Sequence, residues 1–361
     1  MARFSSLDAV VSAIAPPDAA AAQAARARQD QLTKPLGALG RLEELSIWLA
    51  GVRGEAVPRI GRKVIVTAAA DHGVAAHGVS AYPPEVTPQM VRNFLAGGAA
   101  VNVLARHAGA EVLVVDAGVA ADLPDDPRLL RLGLRRGTAD FSSGPAMSRD
   151  EALRCVLGGA ELAADQVAAG ADVLAIGDMG IGNTTASAAI TSVFTGLPPA
   201  AVTGRGTGVS DERYAEKVRR IEAALAVNRP NPLDGLDVLA KVGGLEIGVL
   251  AGVCLGAAAL RRPVVLDGFI AAAAAQVAQA LAPASVAYML AAHRSAEPGH
   301  VAALAQLGLS PLLDLGMRLG EGTGAALGII LLEAAARVLA EMATFAEAGV
   351  SGSDEAQRDE G

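Results

Sequence analysis

From residue 63 onward, short apolar runs rich in β-branched residues alternate with longer stretches that have a helical pattern. Continuous apolar strands that alternate with helices are typical of a parallel sheet covered by helices on both faces. The sequence therefore predicts an α/β fold with a doubly wound, mostly parallel, six-stranded Rossmann-like sheet. The predicted strands are 64–67, 112–115, 173–176, 264–266, 286–290 and 312–315.

Polar residues and glycines follow each of these predicted strands. In doubly wound sheets the ligand lies beyond the carboxyl ends of the strands, so these residues are expected to gather at one edge and form the site. They occupy positions 71–73, 116–118, 177–180, 267–268, 293–295 and 319–322.

The remaining segments are predicted to be mainly helical. Residues 1–60 are expected to form an N-terminal helical segment, which makes a smaller subdomain with a C-terminal helix over 323–350. The α/β catalytic domain is then 61–322. Residues 351–361 are polar and charged without an apolar period, which predicts a disordered tail.

Composition excludes several classes of function. A formal net charge of −8 argues against nucleic acid, because phosphate backbones need a basic surface. The apolar stretch Ile247–Leu260 has 14 residues, fewer than the ~20 that a membrane helix needs. Asp8 interrupts the apolar start of the chain, which argues against a signal peptide. We therefore expect a soluble cytoplasmic protein without a membrane segment.

Cysteine and histidine usage gives at most a weak sign of a metal site. Cys155 and Cys254 stand alone in apolar segments and are expected to be reduced core residues. His72 and His77 are five residues apart with Asp71 nearby, which is a weak metal signal, and structural hydrogen bonds are the preferred interpretation. We predict neither a metal nor a cofactor.

Two glycine-rich segments are candidates for binding a phosphate. In Gly180–Thr185, glycines, helix-start N–H groups and threonine hydroxyls would form an anion site, although a plain turn with Asn183 as helix N-cap is an alternative. In Gly204–Gly208 the loop would wrap a phosphate or sugar, and Lys217 would reach over it as a point charge. The alternative is a flexible surface loop beside a solvated helix face.

Glu321 is the candidate catalytic residue. It lies between Gly320 and Gly322, at the predicted end of the last strand and just before a long helix. Apolar neighbours such as Leu315, Met317 and Leu319 would raise the carboxyl pKa toward neutrality, as a general base requires. The alternative is a first-turn carboxylate placed there by the helix dipole.

The proline-rich loop 79–89 offers Ser80, Tyr82 and Gln89 beside apolar residues. Such a loop suits a flat heteroaromatic ligand, since it can bury the ring faces and orient the ring nitrogens. A rigid connector to the next helix explains the same pattern equally well.

Eight segments together resemble one family, the nicotinate-nucleotide–dimethylbenzimidazole phosphoribosyltransferases of cobalamin lower-ligand assembly. They occur in the expected order between residues 33 and 327. A single block would be weak evidence, but eight in order are highly specific. The matching blocks are TKPLGALGRLEEL, ADHGVAAHGVSAYPPEVTPQMV, MGIGNTT, GRGTG, KVGGLEIG, VVLDGFI, HRSAEPGH and GEGTGAAL.

The resemblance implies an activity, a site and an assembly. Nicotinate mononucleotide and 5,6-dimethylbenzimidazole would give α-ribazole 5′-phosphate and nicotinate, with Glu321 as general base, and the protein would be a homodimer. The base pocket would involve Ser80, Tyr82, Gln89 and Met317. The phosphate and ribose contacts would fall on Gly180, Gly182, Asn183, Thr184, Thr207, Lys217, Ser295 and Gly324.

One position departs from the family. A glutamate usually precedes the MGIGNTT block, whereas this chain has Asp178, so a secondary catalytic role for that carboxyl group is in question.

Two rival functions remain at this stage. A dinucleotide-dependent oxidoreductase would need a glycine fingerprint after the first strand, which residues 71–73 do not supply. A non-catalytic nucleotide- or benzimidazole-binding protein would bind its ligand without turnover. The preferred azole base depends on pocket shape, which the sequence does not give.

Overall fold

The computed structural model describes residues 4–206 and 208–351. A six-stranded sheet lies at its centre, and every neighbouring pair of strands is parallel. The order β3-β2-β1-β4-β5-β6 is the doubly wound Rossmann order, so the predicted fold class is confirmed. The strands are β1 (Arg62–Ala70), β2 (Glu111–Gly118), β3 (Leu129–Arg131), β4 (Ala171–Met179), β5 (Val264–Leu266) and β6 (Met289–Ala291).

Helices connect these strands. Two 3-10 helices span Gly73–His77 and Pro283–Tyr288. The α-helices are α1 (Leu7–Ser12), α2 (Ala19–Gln31), α3 (Arg41–Arg53), α4 (Val86–Ala96), α5 (Ala100–Ala108), α6 (Arg149–Ala168), α7 (Asn183–Thr195), α8 (Pro199–Val202), α9 (Asp211–Asn228), α10 (Gly235–Val242), α11 (Leu245–Ala259), α12 (Phe269–Leu281), α13 (Pro298–Leu307), α14 (Thr323–Glu341) and α15 (Phe345–Ala348).

Small residues allow the helices to pack tightly on the sheet. β1 is buried along almost its whole length, as expected for a central parallel strand covered on both faces. α11 is buried over nearly all of its residues and packs extensively against α6. At Gly159 of α6 an added Cβ would overlap the backbone of Val249 in α11. The scarcity of aromatic residues therefore reflects a core built on close backbone approach.

One predicted strand is wrong and another is only partly correct. Residues 312–315 form no strand: the N–H groups of Leu312 and Leu313 donate to Ala291 (3.1 Å) and Ala292 (3.0 Å), and a single bridge joins Leu313 to His293 before the left-handed Gly316. Residues 286–288 belong to a 3-10 helix, which leaves β6 only three residues. The actual additional strand is β3, whose three residues are too few to give a sequence pattern.

The chain divides into two compact units. The larger comprises residues 4–15 and 62–329, so the first helix, α1, lies with the sheet, where it packs against α6 and α11. The smaller comprises residues 16–61 and 330–351. The helix predicted over 323–350 ends at Glu341 and is followed by α15. The predicted disordered tail falls, apart from Ser351, outside the described residues.

Among the described residues, α14 is the one helix long and apolar enough to cross a membrane by length and composition. Core helices of soluble proteins pass the same test. Cys155 and Cys254 are buried and free, as predicted, and burial raises the pKa of each thiol to about 12.

Candidate active site

A cavity of about 530 Å³ lies beyond the carboxyl ends of β4, β5 and β6. Its position follows the rule for doubly wound sheets. The predicted residues Tyr82, Asp178, Gly180, Asn183, Thr184, Ser295 and Glu321 line it. Further lining residues are Val86, Met90, Met179, Ile181, Gly206, Gly268, Phe269, Ile270, His293, Glu297, Arg318, Leu319 and Gly320.

The expected gathering of polar residues at one edge is only partly correct. The groups after β4, β5 and β6 share the cavity, but Asp71 and Asp116, near the ends of β1 and β2, line separate depressions. Asp71 is fixed by the N–H of Ala120 (2.8 Å), and Asp116 caps the N–H groups of Gly118 and Val119. These two carboxylates therefore organise loops.

Glu321 occupies a left-handed turn. Its φ is +67°, which is uncommon for a residue with a side chain, and the flanking Gly320 and Gly322 are also left-handed, at +86° and +103°. Its carbonyl oxygen accepts a hydrogen bond from the Thr67 hydroxyl (2.8 Å), and its N–H donates to the Asp178 carbonyl (3.2 Å). Bonds to two strands thus hold the strained turn.

Asp267, directly after β5, anchors the same turn from below. Its buried carboxylate accepts hydrogen bonds from the N–H groups of Gly322 (3.0 Å), Gly324 (2.6 Å) and Ala325 (3.0 Å), at the start of α14. Burial raises the pKa of Asp267 to about 7, although these three N–H groups act in the opposite direction. The sequence places Asp267 at this edge but does not indicate its role in the turn.

The carboxyl group of Glu321 has the properties of a base. Only 5% of the residue is exposed, and this burial raises its pKa above the ordinary value. The N–H of Val101, in the first turn of α5, donates to Oε2 (3.3 Å) and limits the rise. The expected shielding by Leu315 and Met317 is wrong, since neither lines the cavity; Leu319 does, but it is 59% exposed.

Asp178 lies opposite, near the end of β4. Asn183 donates its side-chain amide to Oδ2 (2.8 Å), while Oδ1 is buried without a hydrogen-bond partner. Burial, and then the nearby carboxyl groups of Asp267, Glu246 and Glu321, raise the pKa of Asp178 well above its ordinary value. This raised pKa favours the neutral carboxylic acid, which can donate a hydrogen bond.

The alternative role of Asn183 as an N-cap is wrong. Gly182, with a φ of +98°, is the N-cap of α7, and Asn183 is the first residue of that helix. A side chain at Gly182 would point toward His72 rather than into the cavity, since a Cβ there would lie 3.3 Å from the Cβ of His72.

Lys217 lies behind the cavity wall rather than over a loop. It is 1% exposed, and Nζ donates to the Thr184 hydroxyl (2.8 Å) and to the Gly204 carbonyl (3.2 Å). Burial lowers its pKa to about 8, against the effect of the Glu297 carboxylate. Lys217 therefore acts through Thr184 and the glycine segment. Thr207 lies outside the described residues.

The loop before α4 contributes differently from the prediction. Tyr82 lines the cavity, but Ser80 and Gln89 do not. Instead α4 presents Val86 and Met90, four residues apart on one helix face. That spacing is the signal that could have identified them.

Two other predicted contacts also lie outside the cavity lining. The backbone of Met317 accepts a hydrogen bond from the N–H of Ala296 (3.0 Å). Gly324 is directed at Asp267, and a side chain there would overlap His293. Both residues therefore shape the wall from behind.

A buried His72–Glu246 pair lies behind the Gly180 turn. His72 Nε2 is 2.7 Å from Glu246 Oε1, and both side chains are fully buried. Burial disfavours the imidazolium, but the charge and hydrogen bond of Glu246 raise the pKa of His72 overall. His77 pairs with Asp140 at 2.8 Å, so the structural interpretation of both histidines is confirmed.

Comparison with known proteins identifies the family. A family model described as phosphoribosyltransferase matches residues 14–350. The chain is similar to nicotinate-nucleotide–dimethylbenzimidazole phosphoribosyltransferases from Chloroflexus aggregans (61% identity, 98% of this chain and 100% of the relative) and from a Roseiflexus species (62%, 97% and 99%).

Two solved structures from Thermus thermophilus agree. One, a phosphoribosyltransferase of the same name, has a TM-score of 0.88 and 51% identity over 93% of this chain and 100% of its own. The other, described as CobT, has a TM-score of 0.89 and 52% identity over 92% of this chain and 100% of its own. The resemblance seen in the sequence is confirmed: the chain belongs to the nicotinate-nucleotide–dimethylbenzimidazole phosphoribosyltransferase family.

Proposed function

We propose that this enzyme transfers the phosphoribosyl group of nicotinate mononucleotide to 5,6-dimethylbenzimidazole, giving α-ribazole 5′-phosphate and nicotinate. The observation that carries the proposal is the cavity that Glu321 shares with the Gly180–Thr184 turn. A buried carboxyl group with a raised pKa thus lies in the same cavity as a glycine-rich helix start. The first suits a base, and the second suits a phosphate or sugar.

The chemistry requires one proton transfer at the nucleophile. The pyridinium of nicotinate mononucleotide is already a cationic leaving group and departs without being protonated. One benzimidazole nitrogen attacks C1′ from the α face, the C1′–N bond to nicotinate breaks, and C1′ is inverted. The carboxylate of Glu321 takes the proton from the second benzimidazole nitrogen.

The remaining residues hold the two substrates. Val86, Met90, Phe269 and Ile270 give the cavity apolar walls for a flat ring, with Tyr82 at its edge. Thr184, supported by Lys217, and the turn at Gly180 are placed to bind phosphate and ribose. Holding the sugar in line with the azole converts an encounter of two molecules into a reaction within one complex.

Asp178 replaces the glutamate usual in the family, and we assign it an orienting role. Its raised pKa favours the neutral acid, which would donate a hydrogen bond to a ribose hydroxyl or to the azole. Ser295 also lines the cavity; its N–H donates to His300 Nδ1 (2.9 Å), and its hydroxyl accepts a hydrogen bond from the N–H of Glu297 (3.4 Å).

The test is turnover. Incubation with nicotinate mononucleotide and dimethylbenzimidazole should release nicotinate, which chromatography measures. Glu321→Gln, which keeps the side-chain shape, should lower kcat by about 10²- to 10⁴-fold, the usual contribution of a general base. Full turnover by this variant would refute the assignment of the base. Tight ligand binding without any product from the unmodified enzyme would favour the binding-protein alternative.

We further propose that the enzyme is a homodimer, as the family resemblance implies, and that it acts in the cytoplasm, as its composition indicates. Light scattering coupled to size-exclusion chromatography measures the mass directly. A mass near 36 kDa, that of a single chain, would contradict the dimer.

A further inference from the structure

Arg318 is the one cationic side chain, arginine or lysine, among the described residues that line the cavity. The ionisable acids of the same lining are Asp178, Glu297 and Glu321. Nicotinate mononucleotide carries a phosphate and a carboxylate against a single pyridinium charge. A cavity whose lining is mainly acidic therefore needs a cation in order to admit this substrate.

The guanidinium of Arg318 has no charged partner of its own in the described part of the chain. Nη1 donates to the carbonyl oxygen of Gly206 at 2.7 Å, and the side chain is exposed. This separates it from the other arginines of the large unit that are held in ion pairs, such as Arg135 with Glu151. An exposed guanidinium on a neutral carbonyl can exchange that partner for an anion, which it binds more strongly and in a bidentate manner.

Gly206 connects Arg318 to Lys217. A Cβ on Gly206 would lie 3.1 Å from the Thr184 hydroxyl and 3.4 Å from Lys217 Nζ, so the lysine and the arginine approach the same glycine. The N–H of Gly206 is bonded to Glu297 Oε1 (2.9 Å) and its carbonyl oxygen to Arg318, so both backbone polar groups of this glycine have partners. Of the two cations near Gly206, Lys217 is buried and Arg318 is exposed.

We propose that Arg318 binds the 5′-phosphate of the mononucleotide and selects the phosphorylated substrate. This inference rests on the proposed function. The phosphate is favoured over the nicotinate carboxylate because Arg318 bonds to Gly206, the glycine at which an added Cβ would lie next to Thr184 and Lys217, whereas the base must lie at the reacting carbon. Arg318 is exposed and can bind the phosphate directly, whereas Lys217 is buried and bonds to Thr184, which lines the cavity.

The experiment compares three donor substrates, each with dimethylbenzimidazole. They are nicotinate mononucleotide, nicotinate riboside, which lacks the phosphate, and nicotinamide mononucleotide, which lacks the carboxylate. Arg318→Gln should lower kcat/KM for nicotinate mononucleotide by about 10- to 100-fold, as expected for the loss of a hydrogen bond to a charged group. The kcat/KM for nicotinate riboside should change by no more than about twofold, because this donor has no phosphate for Arg318 to bind. If riboside turnover is too slow, its inhibition constant against nicotinate mononucleotide replaces kcat/KM.

Two further variants give the controls. Arg318→Lys should retain part of the preference for the phosphorylated donor, since it keeps the charge but loses the bidentate geometry. Arg92→Gln is the matched control, because Arg92 is also exposed and also donates to a backbone carbonyl, that of Asp122 (3.0 Å), but does not line the cavity. Arg92→Gln should leave kcat/KM unchanged for all three donor substrates.

Each outcome has a defined meaning. If Arg318→Gln lowers turnover of nicotinate mononucleotide and nicotinate riboside equally, Arg318 does not bind the phosphate and the proposal is overturned. If it removes only the preference over nicotinamide mononucleotide, the anion is the carboxylate and the proposal is again overturned. Failure of the unmodified enzyme to release nicotinate would instead refute the proposed function itself.

Discussion

Gly177→Ala should displace the turn that carries the proposed base, Glu321, without touching any substrate. Gly177 lies in β4 directly below Glu321, and a Cβ at this position would be 2.3 Å from the backbone carbon and oxygen of Glu321 and from the nitrogen of Gly322. Ordinary van der Waals contact begins at 3.4 Å, so one of the two backbones must move by about 1 Å. β4 is paired on both sides, so the turn at Glu321 is the part that moves.

The magnitude follows from this displacement. Overpacking by one methyl group costs about 1–3 kcal/mol of unfolding free energy. A 1 Å misplacement of a catalytic group costs about 10²-fold in kcat. The bonds of the turn to Thr67 and Asp178 would lengthen at the same time, which loosens the base further.

The assay is nicotinate release for kcat, with denaturant unfolding for stability. Gly144→Ala is the matched control, because a Cβ there meets nothing within 4 Å and no left-handed φ is involved. It should leave both measurements unchanged. A Gly177→Ala enzyme with the kcat and the unfolding midpoint of the unmodified protein would show that the turn does not depend on this contact.

Three further predictions follow from the charges of the site. Burial raises the pKa of Glu321 above 4.5, and a base must be deprotonated, so kcat should fall as the pH drops through that raised pKa. The Glu321→Gln enzyme should not show this acidic fall in kcat. A kcat of the unmodified enzyme that is independent of pH between 4.5 and 7 would contradict the prediction. Burial lowers the pKa of Lys217 to about 8, so affinity for nicotinate mononucleotide, measured by calorimetry, should weaken as the pH rises above about 8. The Lys217→Met enzyme should bind nicotinate mononucleotide more weakly, and its affinity should not decrease further above pH 8. If the decrease in affinity above pH 8 persists in this variant, another group causes it. Glu246→Gln should lower the unfolding free energy by about 3–5 kcal/mol, because it leaves the buried His72 without its charged partner. Denaturant titrations measure this loss. A loss below about 1 kcal/mol would show that His72 and Glu246 do not form an ion pair.

The sequence determined the parts of this protein that depend on local pattern. Apolar runs such as 64–67 and 173–176 have no alternation with polar residues, which indicates strands that are buried on both faces. From this pattern the α/β fold class could be predicted. A glycine-flanked Glu321 gave the candidate base, since few structural requirements place a carboxylate between two glycines. Ordered blocks from 33 to 327 gave the family, which the comparisons confirmed.

Short elements were beyond the reach of the sequence. β3 has three residues, and β6 has three after a 3-10 helix that looked like strand. At this length there is no period to detect, and only pairing with a neighbouring strand decides the backbone conformation. The weakly patterned 312–315 segment is not a strand, because only Leu312 and Leu313 bond to the chain at the end of β6 and the pairing stops there.

Tertiary structure alone decided which side chains face the cavity and in which charge state. Lys217 and Gln89 have the chemistry for ligand contact, yet one is buried behind Thr184 and the other points to solvent. The raised pKa of Asp178 depends on burial and on three carboxyl groups that are 68 to 143 residues away along the chain. Orientation and pKa depend on distances between segments remote in sequence, and those distances exist only once the sheet has assembled.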